Sequence, residues 1–228
     1  MLTRGNYPVM RDLDLFQLAL GLEVPWSVSS SSFDAEQKRL DIRIDFAPGS
    51  VFCCPKCGRS GLKAYDTSES TWRHLNFFQH EAYLAARVPR ISCPECGILK
   101  LDSLPWARRN SGFTLLFEAM IMVMAKSMPV NVIASIIGEH DTRIWRVITH
   151  YVAQARGEAD YCGVTTVGVD ETASKRGHNY VSLFVDLAVP KVLFVTEGKD
   201  ASTVQRFRDD LVAHNGDPSQ ITEFCSDM

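Results

Sequence analysis

The chain has no long hydrophobic run. Its most apolar stretch, FTLLFEAMIMVMA, is about thirteen residues long and contains Glu118. That is too short and too charged for the roughly 20 apolar residues that a membrane-spanning helix needs. The opening MLTRGNYPVMRDLDLF has no basic-then-apolar leader, so a soluble, cytoplasmic protein with no membrane partner is expected. Low-complexity sequence is confined to SSSS, and no internal repeat is visible beyond two cysteine knuckles. No sign of charge dominates: the 228 residues carry a net charge of −3 with 46% apolar and 22% charged side chains. This composition excludes a disordered tail and fits one or two cored domains. Seven cysteines in a reducing compartment are poor disulfide candidates, so their spacing is read for metal.

Charge is unevenly divided along the chain. Residues 1–50 carry 5 basic and 7 acidic side chains, residues 51–157 carry 13 and 8, and residues 158–228 carry 6 and 12. A basic middle beside an acidic C-terminal third suits a polyanion-binding module next to a cation-binding one.

Hydrophobic period divides the chain further. Residues 13–22 (LDLFQLALGL) read as a short amphipathic helix ended by glycine, SVSSSSFDAEQ as a polar loop, and RLDIRIDF as a half-buried strand. CCPKCG at 53–58 and CPECG at 93–97 flank a strand-like stretch. From Gly112 the period is helical, with Phe113, Leu116, Phe117, Met120, Ile121 and Met124 on one stripe. A second helix begins at Pro129 and closes at Gly138. Asp141 can cap a third, with Ile144, Val147, Ile148, Tyr151, Val152 and Ala155 facing inward. VTTVGVD, NYVSLFVDL and KVLFVTEG then read as strands, followed by a helix near 201–214 and a fourth strand, ITEFCSD. The expected fold is α+β and multidomain: an N-terminal helix and strand segment (1–50), a zinc ribbon (51–105), a helix-turn-helix module (106–158) and the start of a mixed α/β sheet (159–228).

Cys54, Cys57, Cys93 and Cys96 form two CxxC pairs, each followed by glycine, and four thiolates complete a closed tetrahedral zinc site. Cys54, not Cys53, has the CPxCG register, and His74 and His80 read as structural or surface residues. With all four positions filled by protein, this zinc holds a fold together and does not activate water. On the third helix Arg143, Arg146, His150 and Gln154 lie opposite the apolar stripe. With Arg108 and Arg109 nearby, they are candidates for contacts to double-stranded DNA. Asp170 ends VTTVGVD and Asp227 ends ITEFCSD, and carboxylates at the tips of neighbouring strands can share magnesium or manganese ions. Such a site normally needs a third acid. Glu171, Asp186, Glu197 and Asp200 read as surface or turn residues.

CPKCG, CPECG, the helix-turn-helix and GVDETASKRGHNYVSLFVDL with VTEGKD behind it together resemble the transposases of the insertion-sequence L-three family, over essentially the whole chain. The resemblance implies a ribonuclease-H-like catalytic domain with an Asp-Asp-Glu triad, present here only in part. Asp170 matches the first acid, Asp227 the second, and Lys175-Arg176-Gly177 the basic hairpin after the first. It also implies metal-assisted hydrolysis at the terminal inverted repeats, then attack of the freed 3′ hydroxyl on target DNA. A homo-oligomer is left open. The family's glutamate lies on a later helix, no residue here takes its place, and Glu223 sits inside the strand leading to Asp227. The chain alone is therefore expected to bind DNA without cutting it. The alternative is a non-catalytic zinc-ribbon and helix-turn-helix DNA-binding protein, or a regulatory truncated transposase.

Overall fold

The structure, a computed structural model, describes residues 11–226 apart from 102, 103, 176 and 178. It contains two compact units, residues 1–148 and 149–228. Among the described residues no helix is long and apolar enough to cross a membrane.

The first unit opens with α1 (Asp12–Ala19), which ends before Gly21 in the left-handed region (φ 61°). Strands β1 (Trp26–Asp34), β2 (Arg39–Phe46), β3 (Val51–Phe52), β4 (Leu62–Phe77), β5 (His80–Cys93) and β6 (Gly97–Lys100) follow. They form one sheet in the order β1-β2-β5-β4-β3, with β6 added to β5. SVSSSSFDAEQ was expected to be a loop, yet most of it is β1. Trp26 and Val28 anchor that strand in the core, and antiparallel pairing with β2 holds the serines extended. β2 runs parallel to β5 from Arg39↔Glu81 to Ile44↔Ala86, so the N-terminal segment and the ribbon hairpins share one sheet and one core. Leu40, Ile42, Ile44, Leu84 and Ile91 are buried there, each contributing roughly 1.5–3 kcal/mol. Trp106 packs edge-on against Trp26 (5.0 Å between centroids) and Trp72 (5.7 Å).

Helices α2 (Leu115–Ala125), α3 (Val130–Ile137) and α4 (Asp141–Gly157) follow. The lead-in to α2 is fixed to the sheet through β4: the Arg73 amide donates to the Gly112 carbonyl (2.9 Å) and the Thr114 amide to that of Arg73 (3.0 Å). The buried Arg73 guanidinium donates to the carbonyls of His74 and Ala82 and to Asn76 Oδ1. Thr114 caps α2 and also meets His74 Nδ1 at 2.9 Å. The burial along α2 differs from expectation at two positions. Phe113, Phe117 and Ile121 are buried, but Leu116 is 53% exposed and Glu118 is fully buried. The carboxylate is tolerated because Arg108 Nε (2.9 Å) and Ser111 Oγ (2.6 Å) donate to it.

The second unit contains β7 (Thr166–Lys175), β8 (Asn179–Asp186), β9 (Lys191–Glu197), α5 (Ala201–Ala213) and β10 (Glu223–Ser226). The sheet order is β10-β7-β8-β9, with β10 parallel to β7 and the other pairs antiparallel, as the sequence indicates for a mixed sheet with a crossover. α5 covers one face: Phe207 stacks on Phe184 at 4.3 Å, and Leu211, Val167, Val169 and Leu193 complete the core. Arg156 is tied into this unit by Asp210 Oδ1 (2.5 Å), Tyr161 Oη (2.6 Å) and the Leu193 carbonyl.

Candidate functional site

The two knuckles sit where hairpins turn: Cys54 follows β3, while Cys93 and Gly97 are ladder partners of β5 and β6. Each knuckle requires a residue in the left-handed region after its second cysteine, supplied by Gly58 (φ 73°) and Gly97 (φ 79°). A side chain there would be strained by roughly 1–2 kcal/mol. The Gly58 amide donates to the Cys54 carbonyl (2.9 Å), and Arg59 pairs with Glu95 of the other knuckle. The sulfurs of Cys54, Cys57, Cys93 and Cys96 all lie within 4.8 Å of one another, with Cys57 and Cys93 at 3.7 Å. Zn–S bonds of about 2.3 Å in a tetrahedron set the S···S edge at about 3.8 Å, so the donor set suits zinc. The Cys57 amide, aided by that of Lys56, points at the Cys54 sulfur and lowers its thiol to about 7 against the opposing push of burial. Burial, with the neighbouring sulfurs, raises Cys96 to about 12. Cys53 is exposed and outside the cluster. His74 and His80 are also outside it: burial lowers the His74 pKa, and His80 packs edge-on against Phe33.

The helix-turn-helix is assembled as its punctuation indicates. Pro129 precedes α3, Gly138 closes it with φ 69°, and α4 starts at Asp141. Ile133 and Ile137 of α3 are buried, as are Ile144 and Val147 of α4. Ile148 and Tyr151 are half-buried, while Val152 and Ala155, expected on the inner stripe, are exposed. Of the six residues expected to meet DNA, Arg146, His150, Gln154 and Arg109 lie at the surface. Gln154 donates to Glu158 (3.1 Å) and His150 packs against Tyr151. Arg143 and Arg108 are partly exposed and each is ion-paired. Arg143 pairs with Glu139 and lies 4.2 Å over the Phe113 ring, and Arg108 neutralises Glu118. A guanidinium beside a desolvated carboxylate is held there by the low local dielectric. Trp145, absent from the expected set, is 53% exposed on α4 beside Arg146.

Asp170 does not end its strand, contrary to expectation. β7 continues through ETASK, and Asp170 pairs with Leu183 in mid-ladder, exposed on the face opposite Val167 and Val169. The polar ETASK continues the strand because β8 gives it a hydrogen-bonding partner. Gly168 shares that face, and a Cβ there would come within 2.9 Å of Leu187 and 3.0 Å of Val185. Asp227 lies outside the described residues; Ser226, before it, is the ladder partner of Val169, before Asp170. In the basic hairpin, Arg176 is also outside the described residues, and Gly177 has φ 90°. Asp186 accepts the Ala188 and Val189 amides as a turn residue, and Asp200 caps α5 through the Ser202 amide. Among the described residues the four cysteines are the one cluster able to hold a metal.

Three family models match this chain. One is described as the helix-turn-helix domain of transposase family ISL3 (residues 103–152), and another as the zinc-finger of transposase IS204/IS1001/IS1096/IS1165 (residues 50–96). The third, described as Transposase, is of the DDE type of the ISL3 family (residues 167–228). Similar relatives include the transposase for insertion sequence element IS1557 of Mycobacterium tuberculosis, 27% identical over 230 residues, covering 96% of this chain and 50% of that protein. The transposase for insertion sequence element IS1001 of Bordetella parapertussis is 25% identical over 166 residues, covering 71% of this chain and 40% of the relative. The chain thus spans about half the length, or less, of the curated relatives it matches. No solved structure matches.

Proposed function

The chain belongs to the ISL3 family of transposases, and from that premise we propose that it binds the double-stranded ends of an insertion element. It contributes two acids, Asp170 and Asp227, to the centre that cuts and joins DNA there. The exposed face of α4 meets the terminal inverted repeats, with Arg146, His150 and Gln154 outermost and Trp145 beside them. Arg143 and Arg108 act indirectly, by holding the module's shape. Two ends brought together for one reaction need more than one chain, so the working form is an oligomer on DNA.

What supports the acid centre is the parallel ladder of β10 on β7. It pairs Ser226 with Val169, and in each strand's sequence the next residue is an aspartate. Asp170 is exposed and on the face away from α5, open to a divalent cation. Magnesium or manganese bound there would supply Lewis acidity for phosphodiester hydrolysis and strand transfer. The residues' part is to fix position: the packing of Leu187 and Val185 over Gly168 seats the strand two residues before Asp170.

Gel-shift titration with duplexes spanning the ends of the element that encodes this chain tests the reading. Arg146→Ala should weaken binding about tenfold, within the range of 1–3 kcal/mol for a base contact, or flatten the salt slope by about 1 if the contact is to phosphate. Unchanged affinity and slope would remove α4 from the DNA interface.

A further inference from the structure

An open groove of about 750 Å³ runs between the first zinc knuckle and the approach to α2 in the first unit. Four cations line it, namely Lys56, Lys100, Arg108 and Arg109, with Ser70 and Thr71, and among the described residues no carboxylate does. Arg108 is neutralised by Glu118, so the groove's character rests on the lysines. Elsewhere in this unit arginines are matched by acids: Arg39 with Asp41, Arg43 with Glu69, Arg59 with Glu95, Arg87 with Asp45 and Arg90 with Asp66. Lys56 and Lys100 are exposed and have no carboxylate partner among the described residues. Lys100 Nζ donates to Ser70 Oγ at 3.2 Å. A unit that pairs these arginines yet leaves two lysines unopposed in one groove has a site suited to an anion.

We propose that this groove carries the phosphate backbone of duplex DNA beyond the segment met by α4. The inference rests on the DNA-end reading above. Two observations point to a passing polymer. The groove is open to solvent, and its wall adjoins the recognition helix: a Cβ on Gly112, which lines it, would lie 2.7 Å from Arg143 Nη2 of α4. The groove and the start of α4 thus adjoin at Gly112 and Arg143. Lys56 lies between Cys54 and Cys57, so the knuckle that binds zinc also fixes the position of a phosphate contact. The metal would support DNA affinity without touching DNA.

The test uses the full chain, the element-end duplex and a scrambled duplex of equal length, each titrated at several salt concentrations. Lys56→Gln/Lys100→Gln should weaken binding to both duplexes equally and reduce the slope of log affinity against log salt by about 1.8, as expected for two lost phosphate contacts. Lys56→Arg should keep the wild-type slope. Lys100→Gln alone, outside both zinc knuckles, should give half the change with zinc content unaltered. An unchanged slope in the double variant, while Arg146→Ala still weakens binding, overturns the groove and leaves the DNA-end reading standing. Failure of the wild-type chain to bind either duplex overturns both.

Discussion

Replacing Cys57 or Cys96 with serine should abolish zinc binding and melt the ribbon, the largest single effect expected in this chain. Structural zinc contributes about 10–16 kcal/mol of apparent binding free energy at neutral pH in small zinc folds, and in such sites binding energy is folding energy. Here the four sulfurs lie within 4.8 Å of one another, with Cys54 and Cys93 buried. Without zinc, Cys96 is held protonated, its thiol raised to about 12, while Cys54 at about 7 is half ionised at neutral pH. Metal uptake must displace the remaining protons, so zinc affinity falls as pH drops and protons compete for the sulfurs. Elemental analysis should find about one zinc per wild-type chain and none in either variant. Calorimetry should show the transition of residues 1–148 lost or strongly lowered, by chelator as by mutation. The second unit has its own core and should keep its transition. A metal-free chain with wild-type melting would refute the ribbon.

Arg156→Ala should destabilise the second unit by about 3 kcal/mol, the lower end of the range for breaking a buried pair. The Asp210 side chain is 15% exposed, and its Oδ2 already lacks a hydrogen bond. His214 Nδ1 stands 3.6 Å from that oxygen and is too far to replace the guanidinium. Removing Arg156 also takes one donor from Tyr161 Oη and one from the Leu193 carbonyl, although Tyr161 still donates to that carbonyl at 2.8 Å. Arg156→Lys keeps the charge but not the planar fork and should fall between the two. A shift in the thermal transition of residues 149–228, with the zinc-dependent transition unmoved, is the expected readout. No shift would mean that the pair is solvated and contributes nothing.

What the sequence discloses and what it conceals follow from the range of each interaction. CPKCG and CPECG are local: thiol spacing and the left-handed glycine lie within five residues, so the ligands can be assigned before any fold is known. Pro129, Gly138 and Asp141 are likewise local signals, and α3 and α4 start and stop beside them. The misses are all non-local. SSSS carries no strand signal and becomes β1 only through β2. Glu118 is only a charge in an apolar run until Arg108, ten residues earlier, is seen to lie against it. Asp170 looks terminal because the apolar run ends there, whereas the ladder with β8 does not. The basic excess of residues 51–157 is countable from the sequence. Which of its cations are left without a carboxylate is decided by cross-strand pairing.

The placement of tryptophan gives this chain a natural optical division. Trp26, Trp72 and Trp106 are buried around one centre in the first unit, Trp145 stands exposed on α4, and the second unit has none. Tryptophan fluorescence is therefore blind to the acid-bearing sheet. Zinc loss should appear as red-shifted emission from the buried trio, and DNA docking as quenching of Trp145. Metal loading and DNA engagement can thus be followed in one cuvette without a label.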